Sequence, residues 1–180
     1  MFTVEEVKIG GGSKYQSAGV SEKVTISEVK LITNDTYKTQ SIQFATINEN
    51  EQTGLSKKLS LNTKISEGKK VAAWTITAKY LLNLLMAVGK TEDEARTLLT
   101  APDVAELVKR LTSATIGKPF RGLFSSREYE PGKCAIELYG VEPVGGNRLV
   151  YDPSSAYHNS KLPQADFVSA KSTTANDLPF

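Results

Sequence analysis

Gly89-Lys90-Thr91 has the ending of a phosphate-binding loop, in which backbone N–H groups and a lysine cradle phosphates. The glycine that such a loop needs five residues before Gly89 is Leu84. The tripeptide also follows a helical pattern rather than a strand, so the assignment fails. Gly10-Gly11-Gly12 supplies glycines for a dinucleotide turn, but a strand pattern follows where a helix is required, so the run reads as a flexible arm or loop. His158 falls in a polar stretch that cannot hold a catalytic base in place. Cys134 reads as a small core residue on a strand. One Cys and one His exclude zinc fingers, zinc ribbons and a disulfide framework within the chain. The carboxylates are scattered without a metal-type pair. The expectation is a binding protein rather than an enzyme, with no cofactor.

A length of 180 residues suits one domain with a short appendage, and 39% hydrophobic with 23% charged residues is ordinary for a globular chain. Lys+Arg number 22 against 20 Asp+Glu, a net of +2, which excludes a strongly basic nucleic-acid tail and an acidic disordered protein. A basic groove can still arise by segregation of charge to one face. No apolar run is long enough to span a bilayer and no signal-like segment opens the chain, so the expected location is cytoplasmic, with no membrane partner.

The elements that must position any site are readable from period. Val20, Val24 and Ile26 alternate with polar residues, and then Val29 and Leu31 carry the apolar positions. This phase slip near Ser27 and Glu28 predicts a β-bulge in a first strand over 20–32, bending it so that it can serve two sides of a closing barrel. Residues 33–36 read as a turn. Ile42 and Phe44 mark a second strand, and Leu55, Leu59 and Leu61 a third. Tyr80, Leu81, Leu84, Leu85 and Val88 are spaced as a helix over 77–88, which Gly89 ends. Thr91-Glu92-Asp93-Glu94 is a capping box opening a second helix that runs through Leu99. A third helix is expected from Thr100, with Pro102 in its first turn and Val104, Leu107, Val108 and Leu111 as its apolar stripe. Phe120, Gly122 and Phe124 then mark a fourth strand. A turn at Glu130-Pro131-Gly132 leads to a fifth, carrying Cys134, Ile136 and Leu138. From Asp152 onward the chain is polar and without period, which predicts disorder.

Three strands, helices, then a β-hairpin is the element order of the OB-fold. At the other end, Asp177-Leu178-Pro179-Phe180 after a polar linker resembles the tip of bacterial and phage single-stranded DNA-binding proteins. The long helical insertion over 77–115 departs from the compact bacterial form and makes the likeness one to a phage-type member. The tip also departs from the family in carrying a single acidic residue, Asp177, after Asp166. The resemblance implies a mainly β protein, a five-stranded OB-fold barrel with helices between strands 3 and 4. It divides the chain into a single-stranded DNA-binding domain at 1–151 and a disordered tail at 152–180 with a protein-interaction tip. The implied function is sequence-nonspecific binding and protection of single-stranded DNA during replication and recombination, in the host cytoplasm if phage-encoded. Replication or recombination proteins would be recruited through the tip, and a homo-oligomer is compatible with this reading.

Such a protein needs cations for phosphates and aromatic faces on which any base can stack. The candidate cations are Lys30, Lys38, Lys58, Lys118, Arg121, Arg127, Lys133 and Arg148. The candidate platforms are Tyr37 beside the first turn, Tyr129 before the hairpin turn, Tyr139 on the outer face of the fifth strand, and Trp74. Alternation assigns Phe44, Phe120 and Phe124 to the core, while Trp74 suits either role. Residues 1–151 hold 20 Lys+Arg against 17 Asp+Glu, so the body is only weakly basic. In the tail, Phe180 would anchor in a hydrophobic pocket, with Leu178 and Pro179 shaping the tip and Asp177 and the terminal carboxylate meeting a basic rim. The competing expectation is a non-catalytic phage protein-interaction or structural barrel.

Overall fold

The computed structural model describes residues 15–131 and 133–154, with the backbone alone at 127–129 and 133. The Gly10–Gly12 run, His158, most of the tail and its tip at 177–180 lie outside the described residues.

Six strands and three helices follow one another as β1 (Gly19–Asn34), β2 (Thr39–Asn48), β3 (Thr53–Ser56), β4 (Leu59–Ser60), α1 (Ala73–Ala87), α2 (Glu92–Leu99), α3 (Val104–Thr115), β5 (Pro119–Glu130) and β6 (Lys133–Glu142). The pairing β1-β5-β6-β3-β2 is closed by β2 on β1, and β4 adds a short flank to β2. The result is a closed five-stranded barrel of the OB type, with the helical insertion between its third and fourth ring strands. The β3–β6 pair is parallel, and the other pairs are antiparallel.

Closure depends on β1. Its first part pairs with β5 from Gly19↔Phe124 to Thr25↔Pro119, and the rest pairs with β2 from Val24↔Asn48 to Asn34↔Thr39. The β1–β2 register shifts between Ile26 and Glu28, at the place where the sequence pattern slips. A second shift, between Ser21 and Val24, lies on the β5 side. Bulges add twist and bend, so one strand can border both neighbours. Gly122 makes the tight curve feasible, since a Cβ there would stand 2.9 Å from Leu138 Cδ1 and 3.2 Å from Val24 Cγ2.

Phe44, Phe120 and Phe124 are fully buried in the main core, with Val24, Ile26, Ile42 and Leu138. The helix α1 turns Tyr80, Leu81, Leu84 and Leu85 into the same core. A smaller cluster of Ala18, Leu123, Leu149 and Tyr151 forms apart from it, with Ile136 packed against both.

Several boundaries differ from those the sequence implies. The third strand is two short pieces, and Leu61 lies beyond them. The first turn occupies 35–38 because β1 runs on to Asn34. The helix α1 starts four residues earlier than its stripe suggests, with no side chain capping it. α3 starts at Val104 with Asp103 as its cap, so Thr100 and Pro102 precede it. Cys134 is half-buried and belongs to neither cluster. Among the described residues no helix is long and apolar enough to cross a membrane.

Candidate nucleic-acid interface

The β1–β2 turn presents Tyr37, 75% exposed, and Lys38, whose backbone is in the left-handed region at φ 50°. The Asn34 side-chain oxygen accepts from the Tyr37 N–H at 3.2 Å, which fixes the turn locally. Tyr37 and Lys38 line an open cleft of about 690 Å³ facing the segment after β4, where Asn62 and Lys64 form the other wall.

From this turn an outer face runs across β2 and β3. β2 leads away from the turn, and its half-buried Gln43 and Ala45 face outward with the exposed Ile47. Ala45 pairs with the exposed Leu55, and Leu55 pairs with Glu137 of β6. β6 enters the sheet from the β5–β6 hairpin, so the face extends from the β1–β2 turn at one end to that hairpin at the other. Its composition suits ligands with both charge and apolar surface. Lys30, opposite Gln43, pairs with Glu28 at 3.4 Å, and Gln43 Nε2 donates to the Ser56 carbonyl at 2.9 Å. Tyr15, 76% exposed, bridges to Thr53 of β3 and adds an aromatic ring at the far edge.

The expected residues fall into groups. Tyr37 and Lys38 share the cleft, Lys30 lies on the outer face, and Lys58 is exposed between β3 and β4. Trp74, partly buried on the first turn of α1, lines two neighbouring hollows and packs against the core, so it is both core and surface. Arg127 and Tyr129 near the end of β5, and Lys133 at the start of β6, flank the hairpin: Arg127 pairs with Ala135 and Glu130 with Lys133, leaving Tyr129 at a register shift. Lys118 is exposed but stands apart, where α3 joins β5 beside Thr25 and Ile26 of β1.

Arg121 is used internally. Its side chain is 12% exposed and its guanidinium donates to Glu22 at 2.8 and 3.1 Å, to the Leu149 carbonyl at 2.8 Å and to Glu142. Burial pulls its pKa down, and the hydrogen bonds and charges of Glu22 and Glu142 outweigh that, leaving it above the usual guanidinium value. Glu142, 1% exposed, also accepts the backbone N–H groups of Arg148 and Leu149 at 3.0 and 3.2 Å. Residues 143–151 thereby fold back over β5 and β6, and Leu149 and Tyr151 cover the face on which Arg121 and Leu123 lie. Tyr139 is half-buried against this cluster rather than standing on an open surface. The Arg148 side chain is exposed, with its Nε 3.8 Å from Glu142.

Among the described residues no three His, Cys, Asp or Glu side chains come together where they could hold a metal ion. Three exposed residues of this surface are missing from the sequence-based set: Tyr15, Lys64 and Lys79. Tyr15 adjoins a glycine run that reads only as a loop, Lys64 sits in an irregular connection, and Lys79 belongs to the polar side of a helix. No family model matches the chain, and no significant match to a curated protein is found.

Proposed function

We propose that this chain binds single-stranded DNA without reading its sequence, protecting it during replication or recombination. The observation that carries this reading is the exposed Tyr37–Lys38 turn, which opens on a cleft at one end of the β2–β3 face of an OB-type barrel. That face and the two turns flanking it are where such barrels take oligonucleotides. Tyr37 and Tyr15 offer planes on which any base can stack, while Lys38, Lys30, Lys58 and the hairpin cations offer charge to phosphates. In the tail, Asp177, Leu178, Pro179 and Phe180 would recruit replication or recombination proteins, a role that rests on the resemblance of the tip.

A gel shift comparing single- and double-stranded oligonucleotides across a salt series tests the reading. The expected outcome is preference for the single strand, with log affinity falling by about 0.7 per phosphate contact for each unit of log salt. No binding to single strands at low salt overturns it. The exposed Ile47 and Leu55 favour a second reading, a protein-binding barrel, whose apolar contact would hold as salt rises. Removing residues 177–180 should leave DNA affinity equal or tighter and abolish capture of partner proteins. Unchanged capture removes the tip from the proposal.

A further inference from the structure

The cleft beside Tyr37 shares Leu61 and Thr63 with a hollow of about 240 Å³, and that hollow shares Trp74 and Leu99 with a third of about 440 Å³. Adjoining at these shared wall residues, the three hollows make a grooved path from the β1–β2 turn past the start of α1 to the cleft between α1 and α2. Four cations line it, Lys38, Lys64, Lys79 and Arg96, against two carboxylates, Asp35 and Asp103. Arg96 is paired with Glu92, whereas Lys38, Lys64 and Lys79 make no ion pair among the described residues. Trp74 stands midway, and its backbone N–H donates to the Asn62 carbonyl at 2.9 Å, which ties α1 to the groove wall.

Resting on the single-strand reading above, we propose that the helical insertion is part of the binding site. The strand leaves the barrel at the Tyr37 turn and continues along this groove, stacking a base on Trp74 and placing phosphates beside Lys64 and Lys79. The middle of the groove is apolar, with Leu61, Leu99, Val104 and Leu107 around Trp74, while Lys38 and Lys64 stand at one end and Lys79 at the other. An apolar peptide would leave those end cations unused, whereas an aromatic face with cations on either side suits a polyanion with flat bases. The insertion then lengthens the site beyond the strand face.

Trp74 is the only tryptophan in the chain, so its emission reports directly on the groove. Oligo-dT longer than about 16 nucleotides, the upper site size of one OB fold, is titrated while Trp74 emission and the anisotropy of a labelled strand are both followed. The expected result is quenching that tracks the anisotropy and reverses with salt. Lys79→Glu, on an exposed position of α1, should lower the salt slope by about 0.7, one phosphate contact. Trp74→Ala should weaken binding about five- to 150-fold, and Trp74→Phe should restore most of it, because an aromatic face remains. If the strand binds by anisotropy but Trp74 emission stays still, or Lys79→Glu keeps the parent slope, the groove path is overturned and the barrel-face reading stands. If neither readout detects binding at low salt, both fall together.

Discussion

The Glu142 carboxylate is 1% exposed and serves three donors, the Arg121 guanidinium and the N–H groups of Arg148 and Leu149. Removing one partner of a buried pair leaves the other charge desolvated, which costs about 3–5 kcal/mol. Arg121 keeps Glu22, so Glu142→Gln should fall near the low end, about 3 kcal/mol by urea unfolding. Glu22→Gln, at the exposed end of the same network, should cost under about 1 kcal/mol. Equal losses from the two would contradict this placement of the energy. The same cluster shows what the sequence cannot convey about single residues. Alternation puts Arg121 on the outward side of its strand, but says nothing of a later segment without period folding back over it. Tyr37 and Lys38 were legible because a turn cannot be covered so easily, and Phe44 and Phe120 because core phase follows directly from alternation. Lys64 and Lys79 gain meaning only when the fold sets the segment after β4 beside the first turn and the start of α1 beyond it.

Among the elements, β1 carries most of the architecture, and its bulge was written in the phase of its apolar residues. Val24 and Ile26 point inward before the slip and Val29 packs inward after it, opposite Phe44. Deleting Ser27 removes the extra residue and forces one half of the strand to turn its apolar set outward. The expected outcome is loss of cooperative unfolding in a circular-dichroism melt, while Ser27→Ala keeps a transition close to the parent. Helix ends were legible where a side chain makes them. In α2, Thr91 Oγ1 accepts from the Glu94 N–H at 3.2 Å and Glu94 accepts from the Thr91 N–H at 2.8 Å. Those bonds, with the backbone bond first, hold the Glu94 carboxyl below its usual pKa. Thr91→Ala should therefore cost about 1 kcal/mol by thermal melt, the usual value of a lost cap. α1 begins without a capping side chain and so gave no signal. The start of α3 was misplaced because Pro102 looks like a first-turn residue, whereas the Asp103 carboxylate takes the Glu106 N–H at 2.8 Å.

At the scale of the molecule, the wall formed by β5 and β6 is buried from both sides, and each side holds a tyrosine. Tyr80, from the insertion, reaches through the main core to the Leu138 carbonyl at 3.4 Å. Tyr151, at the end of the returning segment, closes the second cluster. Burial raises both phenols well above the ordinary value, with Glu137 adding to the effect at Tyr80; for Tyr151 burial and then Asp152 push it up to about 12. The sign follows from linkage. Below the unfolded pKa of about 10 both states keep the proton and the stabilisation is complete. Above it the unfolded chain releases protons that the folded chain retains, so stability declines as pH rises from about 10 toward 12. Thermal melts through that range should show a falling midpoint, and Tyr151→Phe should flatten part of the fall. In a spectrophotometric alkaline titration Tyr80 should ionise only as the fold is lost, and Tyr151 only near pH 12. Because the two rings lie in different clusters, removing either should leave the other's share of the alkaline decline in place. If Tyr151→Phe abolished the whole decline, the insertion's tyrosine would not be titrating with the fold, and α1 would not be packed as a structural part of the barrel.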